Sequence, residues 1–147
     1  MNITKFLFLE EKTTNDGEAI ITVNVSEFRK LKDYKELYVH ILKVATAAVL
    51  KSKENNKEQY IVKAYLDNIE LKNADSGFIG QLVTNLQDLF PNRLGSCYLY
   101  YPPKIFLIGW AFVNPFLDPI TKSKFFIITK DGQMKINDYE DKFKDRI

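Results

Sequence analysis

The chain reads as an α/β domain: a single, mainly parallel β-sheet with crossover helices. Two observations predict this. First, strand-like segments at 19–25, 60–67, 96–101 and 125–129 alternate with helical patterns at 34–52, 75–90 and 105–113. Parallel strands cannot be joined by a tight turn and need a crossover, usually a helix, so alternation of this kind favours a parallel sheet. Second, the first two helical patterns each carry one apolar stripe, which is what a helix needs to pack on a sheet. The third, Ile105-Phe106-Leu107-Ile108-Gly109-Trp110-Ala111-Phe112-Val113, is apolar on every side and shows nothing polar until Asn114. No repeat, low-complexity tract or linker divides the chain, so residues 1–147 are expected to form one domain.

In chain order, 5–10 and 19–25 form a hairpin around Asn15-Asp16-Gly17, whose Asp-Gly step is a strong turn signal. Ile21, Val23 and Val25 alternate with Thr22 and Asn24, which predicts one polar face and an edge position for this strand. Ser26 can cap a short helical segment over 27–32. The long helix follows, with Leu37, Ile41, Val44 and Ala48 at helical spacing. The strand at 60–67 ends on Asp67, and the next helix, opened by Asp75-Ser76, carries Phe78, Ile79, Leu82, Val83, Leu86, Leu89 and Phe90 as its stripe. Pro102-Pro103 halts the following strand. The apolar helix then stops at Pro115-Phe116-Leu117-Asp118-Pro119, because proline removes a helical donor and restricts the residue before it. After the strand 125–129, Asp131-Gly132 turns the chain, and 137–147 is at most a short charged helix.

Composition narrows the function. A formal net charge of +2 gives no reason to expect a nucleic-acid binder. The single cysteine, Cys97, cannot form an internal disulfide and reads as a buried thiol. The single histidine, His40, lies mid-helix without the second ligand a zinc site requires. There is no Gly-rich phosphate loop and no Gly-x-Ser-x-Gly elbow. Asp67 sits where α/β enzymes often place an acid, but no base, nucleophile or metal partner accompanies it, so a capping role is expected. The reading is a protein that is not an enzyme and holds no cofactor or metal. The N-terminus reaches Glu10-Glu11 too soon for a signal peptide, which makes a cytoplasmic location the expectation. The apolar helix is far short of the roughly 20 residues that span a bilayer.

From Leu89 onward the sequence resembles the Sec14-like (CRAL-TRIO) lipid-binding domain. The matching motifs are Phe90-Pro91-Asn92-Arg93-Leu94, the strand around Tyr98-Leu99-Tyr100, the turn Tyr101-Pro102-Pro103, the apolar helix, and Pro115-Phe116-Leu117-Asp118-Pro119-Ile120-Thr121-Lys122-Ser123-Lys124. Asn15-Asp16-Gly17 and Leu66-Asp67 extend the resemblance upstream to about Ile3. It implies that a gate helix, 104–114, closes a cavity holding one hydrophobic molecule, most readily a phospholipid. The expected cavity and gate residues are Tyr101, Ile105, Phe106, Ile108, Trp110, Phe112 and Phe116. In phosphoinositide-binding members the headgroup positions correspond here to Arg93, Thr121 and Lys124. Asn92 stands where those members carry an acid, so it can bond a hydroxyl but not a cation.

What the resemblance implies is binding, and transfer between membranes, of a lipid by a cytoplasmic protein that visits membrane surfaces. An all-apolar gate suits this, because an open gate can dip its outer face into the bilayer, and Trp110 suits an interface. The typical members carry an N-terminal helical lobe before the hairpin, which this sequence does not show. The flank left bare is expected to meet a protein partner or a second copy of the chain. The alternative function is therefore a protein-interaction module whose cavity is degenerate, filled by large residues such as Phe78, Tyr98 and Tyr100.

Overall fold

In the computed structural model, residues 2–30, 33–69 and 76–143 are described. The elements are α1 (Asn2–Phe6), β1 (Leu7–Leu9), β2 (Ile20–Asn24), a 3-10 turn (Val25–Lys30), α2 (Tyr34–Glu54), β3 (Tyr60–Tyr65), α3 (Ser76–Leu89), β4 (Leu94–Tyr100), α4 (Phe106–Val113), a second 3-10 turn (Asn114–Phe116), α5 (Pro119–Lys122), β5 (Phe125–Thr129), β6 (Gly132–Lys135) and α6 (Ile136–Phe143). The six strands form one sheet in sequential order, with β2 to β5 parallel and β1 and β6 added antiparallel at the edges. The fold class is the predicted one.

Sequential order has a direct consequence. Right-handed crossovers that always step to the next strand in the same direction must leave their helices on one face. The buried residues agree. Ile21, Tyr60, Ala64, Cys97, Leu99 and Ile127 point toward the helices and share clusters with Leu37 and Ile41 of α2, Phe106 and Trp110 of α4, and Ile136 and Tyr139 of α6. Their sequence neighbours point the other way. On that second face Tyr65 stacks on Tyr100 with ring centroids 4.8 Å apart, and Tyr98 on Phe126 at 5.8 Å. None of these four belongs to either core cluster.

Several elements differ from expectation. The first strand is only Leu7–Leu9, because Asn2–Phe6 is helical. The spacing of Ile3 and Phe6 lets a single turn bury both side chains beside Leu37. The strand β2 is interior, not an edge: β1 lies outside it and β3 inside. Its polar residues tolerate this because Thr22 donates to the Glu10 carboxylate at 2.5 Å and the Asn24 amide donates to the Lys5 carbonyl at 2.8 Å. Ser26 lies within the 3-10 turn rather than capping it, and residues 31–32, 75 and 144–147 of the expected helices lie outside the described residues. The strand β6 was not foreseen; it follows the turn at Gly132, whose φ of +125° suits glycine.

The lone histidine and cysteine have structural surroundings. His40 Nε2 is 2.7 Å from the Leu7 carbonyl, tying α2 to β1. Burial pushes the Cys97 thiol up to about 12, so it stays protonated and unreactive near neutral pH.

Candidate functional site

The apolar helix α4 is bounded on both sides by proline, as the sequence requires. Its first turn begins where Phe106 N–H donates to the Pro103 carbonyl at 3.0 Å. It ends at Asn114, where Pro115 diverts the chain into the second 3-10 turn. Asp118 then caps α5: one carboxylate oxygen accepts from Thr121 N–H at 2.7 Å and the other from Thr121 Oγ1 at 3.0 Å. The backbone bond from Thr121 is the main reason the Asp118 carboxyl is held below its usual range.

Helix α4 has two kinds of apolar face. Phe106, Leu107 and Trp110 are buried, whereas Ile108 and Phe112 are 41% and 40% exposed. The Trp110 ring lies 6.2 Å from Phe106 and 5.3 Å from Phe125, and Phe106 meets Tyr139 edge-on at 5.9 Å. The exposed apolar surface continues past the helix through Phe116 and Ile120, the latter 69% exposed.

Beneath α4 lies a cavity of about 300 Å³. Ala64, Leu66, Leu99 and Phe125 form its floor on the sheet, and Phe106, Trp110, Phe112 and Val113 form its roof. Phe6, Val25, Ser26 and Phe28 close one side, with Ile79 and Leu82 of α3 closing another. Among the described residues, no charged one lines it. A second depression of about 390 Å³ lies along α2 among Ile3, Asp33, Lys35, Glu36, Val39, His40 and Lys43; it is shallower and mixes charged with apolar residues. Among the described residues no cluster of His, Cys, Asp or Glu is arranged to hold a metal ion.

Of the residues expected at the gate, Phe106, Trp110 and Phe112 reach the cavity wall. Ile105, Ile108, Tyr101 and Phe116 do not. Ile108 faces outward, and Tyr101, with φ +57°, leaves the end of β4 and lies against Tyr100 at 5.8 Å. Phe116 instead packs on Gly80 of α3, so closely that a Cβ there would lie 2.5 Å from its ring. The Gln87 side chain adds a clamp, its amide N–H donating to the Phe116 carbonyl at 2.7 Å and its oxygen accepting from Asp118 N–H at 3.0 Å. Trp110, expected at an interface, is buried on the inner face at 5% exposure.

The four expected headgroup residues lie near the N-terminal ends of β4 and β5, off the cavity wall. Lys124 donates to the Asn92 side-chain oxygen at 3.0 Å, while Gln59 donates to the Asn92 carbonyl at 3.1 Å. Arg93 pairs with the exposed Glu58 carboxylate at 3.0 Å, and Thr121 is held by Asp118. The bulky residues expected to fill the cavity stand elsewhere: Phe78 stacks on Tyr34 at 4.6 Å, and Tyr98 and Tyr100 lie on the opposite sheet face. The wall residues Ala64, Leu66 and Leu99 were readable from strand alternation. Phe6, Ser26 and Phe28 carried no such signal, because short helical turns bring them to the wall.

Comparison with known proteins agrees with this architecture. The family model described as the CRAL/TRIO domain matches residues 4–143. A SEC14 cytosolic factor of Kluyveromyces lactis is 27% identical over 136 residues, covering 83% of this chain and 45% of that protein. A SEC14 cytosolic factor of Candida glabrata is 25% identical over 139 residues, covering 85% of this chain and 46% of that protein. The crystal structure of Sfh5 superposes with a TM-score of 0.64 over 89% of this chain and 49% of that one, at 15% identity, which speaks for the fold. The chain thus spans about half the length of these relatives. With a family match across nearly its whole length, the chain belongs to the CRAL/TRIO family, a family known for lipid binding and transfer.

Proposed function

We propose that this protein binds one lipid molecule in the cavity beneath α4 and exchanges it at a membrane surface by displacement of that helix. The observation that carries the reading is a 300 Å³ apolar cavity whose roof is apolar on both faces. A dry wall of this kind gives water no partners, whereas each CH₂ moved into it from water contributes roughly 0.8 kcal/mol. The exposed Ile108 and Ile120 would meet the bilayer when α4 opens. Changing both to aspartate is expected to weaken co-sedimentation with liposomes about tenfold or more while leaving the melting temperature nearly unchanged, since neither side chain is core.

A phospholipid would set its phosphate among Arg93, Thr121, Lys124 and Asn92. Lys124 is adjacent in sequence to Phe125, which is on the cavity wall, so one chain could enter beside it. An Arg fork and a Lys charge are suited to phosphate. Lys124→Ala is expected to lower binding to anionic vesicles severalfold, with no change on neutral ones. The direct test of the function is transfer of labelled phospholipids from donor to acceptor liposomes by the purified protein. Saturable transfer supports the reading, and no transfer of any class by folded protein overturns it.

A second reading, a protein-interaction surface, is favoured by a separate observation. Among the described residues, the sheet face bearing Tyr65, Tyr98, Tyr100 and Phe126 carries no core-forming helix. Aromatic residues are the side chains enriched at protein interfaces. A protein partner or a second copy would cover this face without disturbing the cavity on the other side.

A further inference from the structure

Trp110 acts on α4 in two opposing ways. Its ring is buried, 6.2 Å from Phe106 and 5.3 Å from Phe125, and this apolar contact fastens the helix toward the sheet. Its indole N–H is buried with the ring and finds no acceptor among the described residues. Buried donors in folded proteins are normally paired, and one left unmet forfeits the hydrogen bond that water would have given it. The polar fastening of α4 is weak at its start as well. Ile105, at the N-cap, bonds none of the first N–H groups through its side chain, and Gly109 lies in the middle of the helix. By contrast, α2 and α5 are capped by the carboxylates of Asp33 and Asp118. Apolar contacts therefore hold α4 closed, while its hydrogen bonding favours release.

We propose that the unmet Trp110 N–H is the built-in bias that opens α4, and that on opening the indole moves to the bilayer interface. There lipid carbonyls and interfacial water accept from the N–H while the ring stays in apolar surroundings. The inference rests on α4 being the element that opens at a membrane. An interface is the one environment that satisfies both halves of an indole, which the closed form does not. Phenylalanine at this position would keep the apolar half of the interaction and lose the bias.

The test replaces Trp110 by 3-benzothienylalanine, which keeps the size of the ring and puts sulfur where the N–H stood. The chain has one tryptophan, so the replacement is confined to this position. Hydrogen exchange of the 106–113 amides is read on the native and substituted full chain, in solution and with mixed phosphatidylcholine–phosphatidylserine vesicles, alongside co-sedimentation. In solution the substituted helix is expected to exchange about 5–30-fold more slowly, the worth of one unmet buried donor. Its vesicle binding should fall severalfold. Trp110→Phe should also bind vesicles more weakly, although its smaller ring makes α4 easier to release; a residue that served packing alone would give stronger binding there. Unchanged exchange in the substituted protein would show that the N–H carries no weight and overturn the proposal. Slower exchange with unchanged vesicle binding would place the acceptor away from the bilayer and equally overturn it. In both cases the proposed function stands if vesicles speed exchange of α4 in the native protein. If they do not, the opening of α4 at membranes fails, and this inference with it.

Discussion

Trp110→Ala is expected to be the most damaging single change near the cavity, costing about 3–5 kcal/mol of stability. The residue is 5% exposed, packs against Phe106 and Phe125, and forms part of both the hydrophobic core and the cavity roof. Removing the indole deletes buried apolar area and leaves a larger void, and both terms act in the same direction. Against a total stability of about 5–15 kcal/mol for a domain, the loss is large enough to leave a visible unfolded fraction. Urea denaturation would measure it as a lower midpoint with an unchanged slope. A loss below about 1 kcal/mol would mean that α4 contributes little to the core and is held loosely even when closed.

Gln87→Ala is expected to loosen the C-terminal hinge of α4 without unfolding the domain. Its side chain bonds the backbone of both Phe116 and Asp118, so one residue of α3 grips the chain just after the helix. The freed groups lie at the surface and can be solvated, so the loss is about 1–2 kcal/mol, or a roughly 5–30-fold rise in the open population. Hydrogen exchange of the α4 amides would report it as lost protection confined to 106–118, with α2 and the central strands unaffected. Unchanged protection there would remove Gln87 from the hinge. Gly80→Ala offers a second probe of the same contact. Alanine is worth about 1 kcal/mol over glycine inside a helix, yet its Cβ would collide with the Phe116 ring at 2.5 Å. Because that ring is 42% exposed it can swing outward, so global stability should be nearly unchanged or higher while the hinge loosens.

The fold was legible because its signals are local. One-sided stripes announced α2 and α3, proline pairs bounded α4, and the Asp-Gly turns at 16–17 and 131–132 marked changes of direction. The interior place of β2 was not legible. Alternation of Ile21 and Val23 with Thr22 and Asn24 looks like an edge strand, and only the partners Glu10 and Lys5, distant in sequence, make the polar side chains tolerable inside the sheet. The site was half legible. The all-apolar segment identified α4 as the roof, but its composition contains no phase: Phe106 and Trp110 turn inward and Ile108 outward because the sheet lies on one side.

The motif after α4 shows the same division in a few residues. Pro115-Phe116-Leu117-Asp118 with Thr121 carried the family resemblance, and Asp118 to Thr121 has the spacing of a helix cap. That Phe116 would find its seat on a glycine of α3, and that Gln87 would hold the turn after α4, depended on α3 and that turn meeting on the same face of the sheet. By itself the sequence determined the α/β class, the positions of most elements, the family and the presence of one helix too apolar for an ordinary surface, since each of these follows from residue periods and spacings along the chain. Only the tertiary structure decided the strand order, the half-buried aromatic face of the sheet, which side of α4 meets the cavity and that the Trp110 N–H is left without an acceptor on its wall. Those depend on which residues face one another across the sheet and on how much space is left between them.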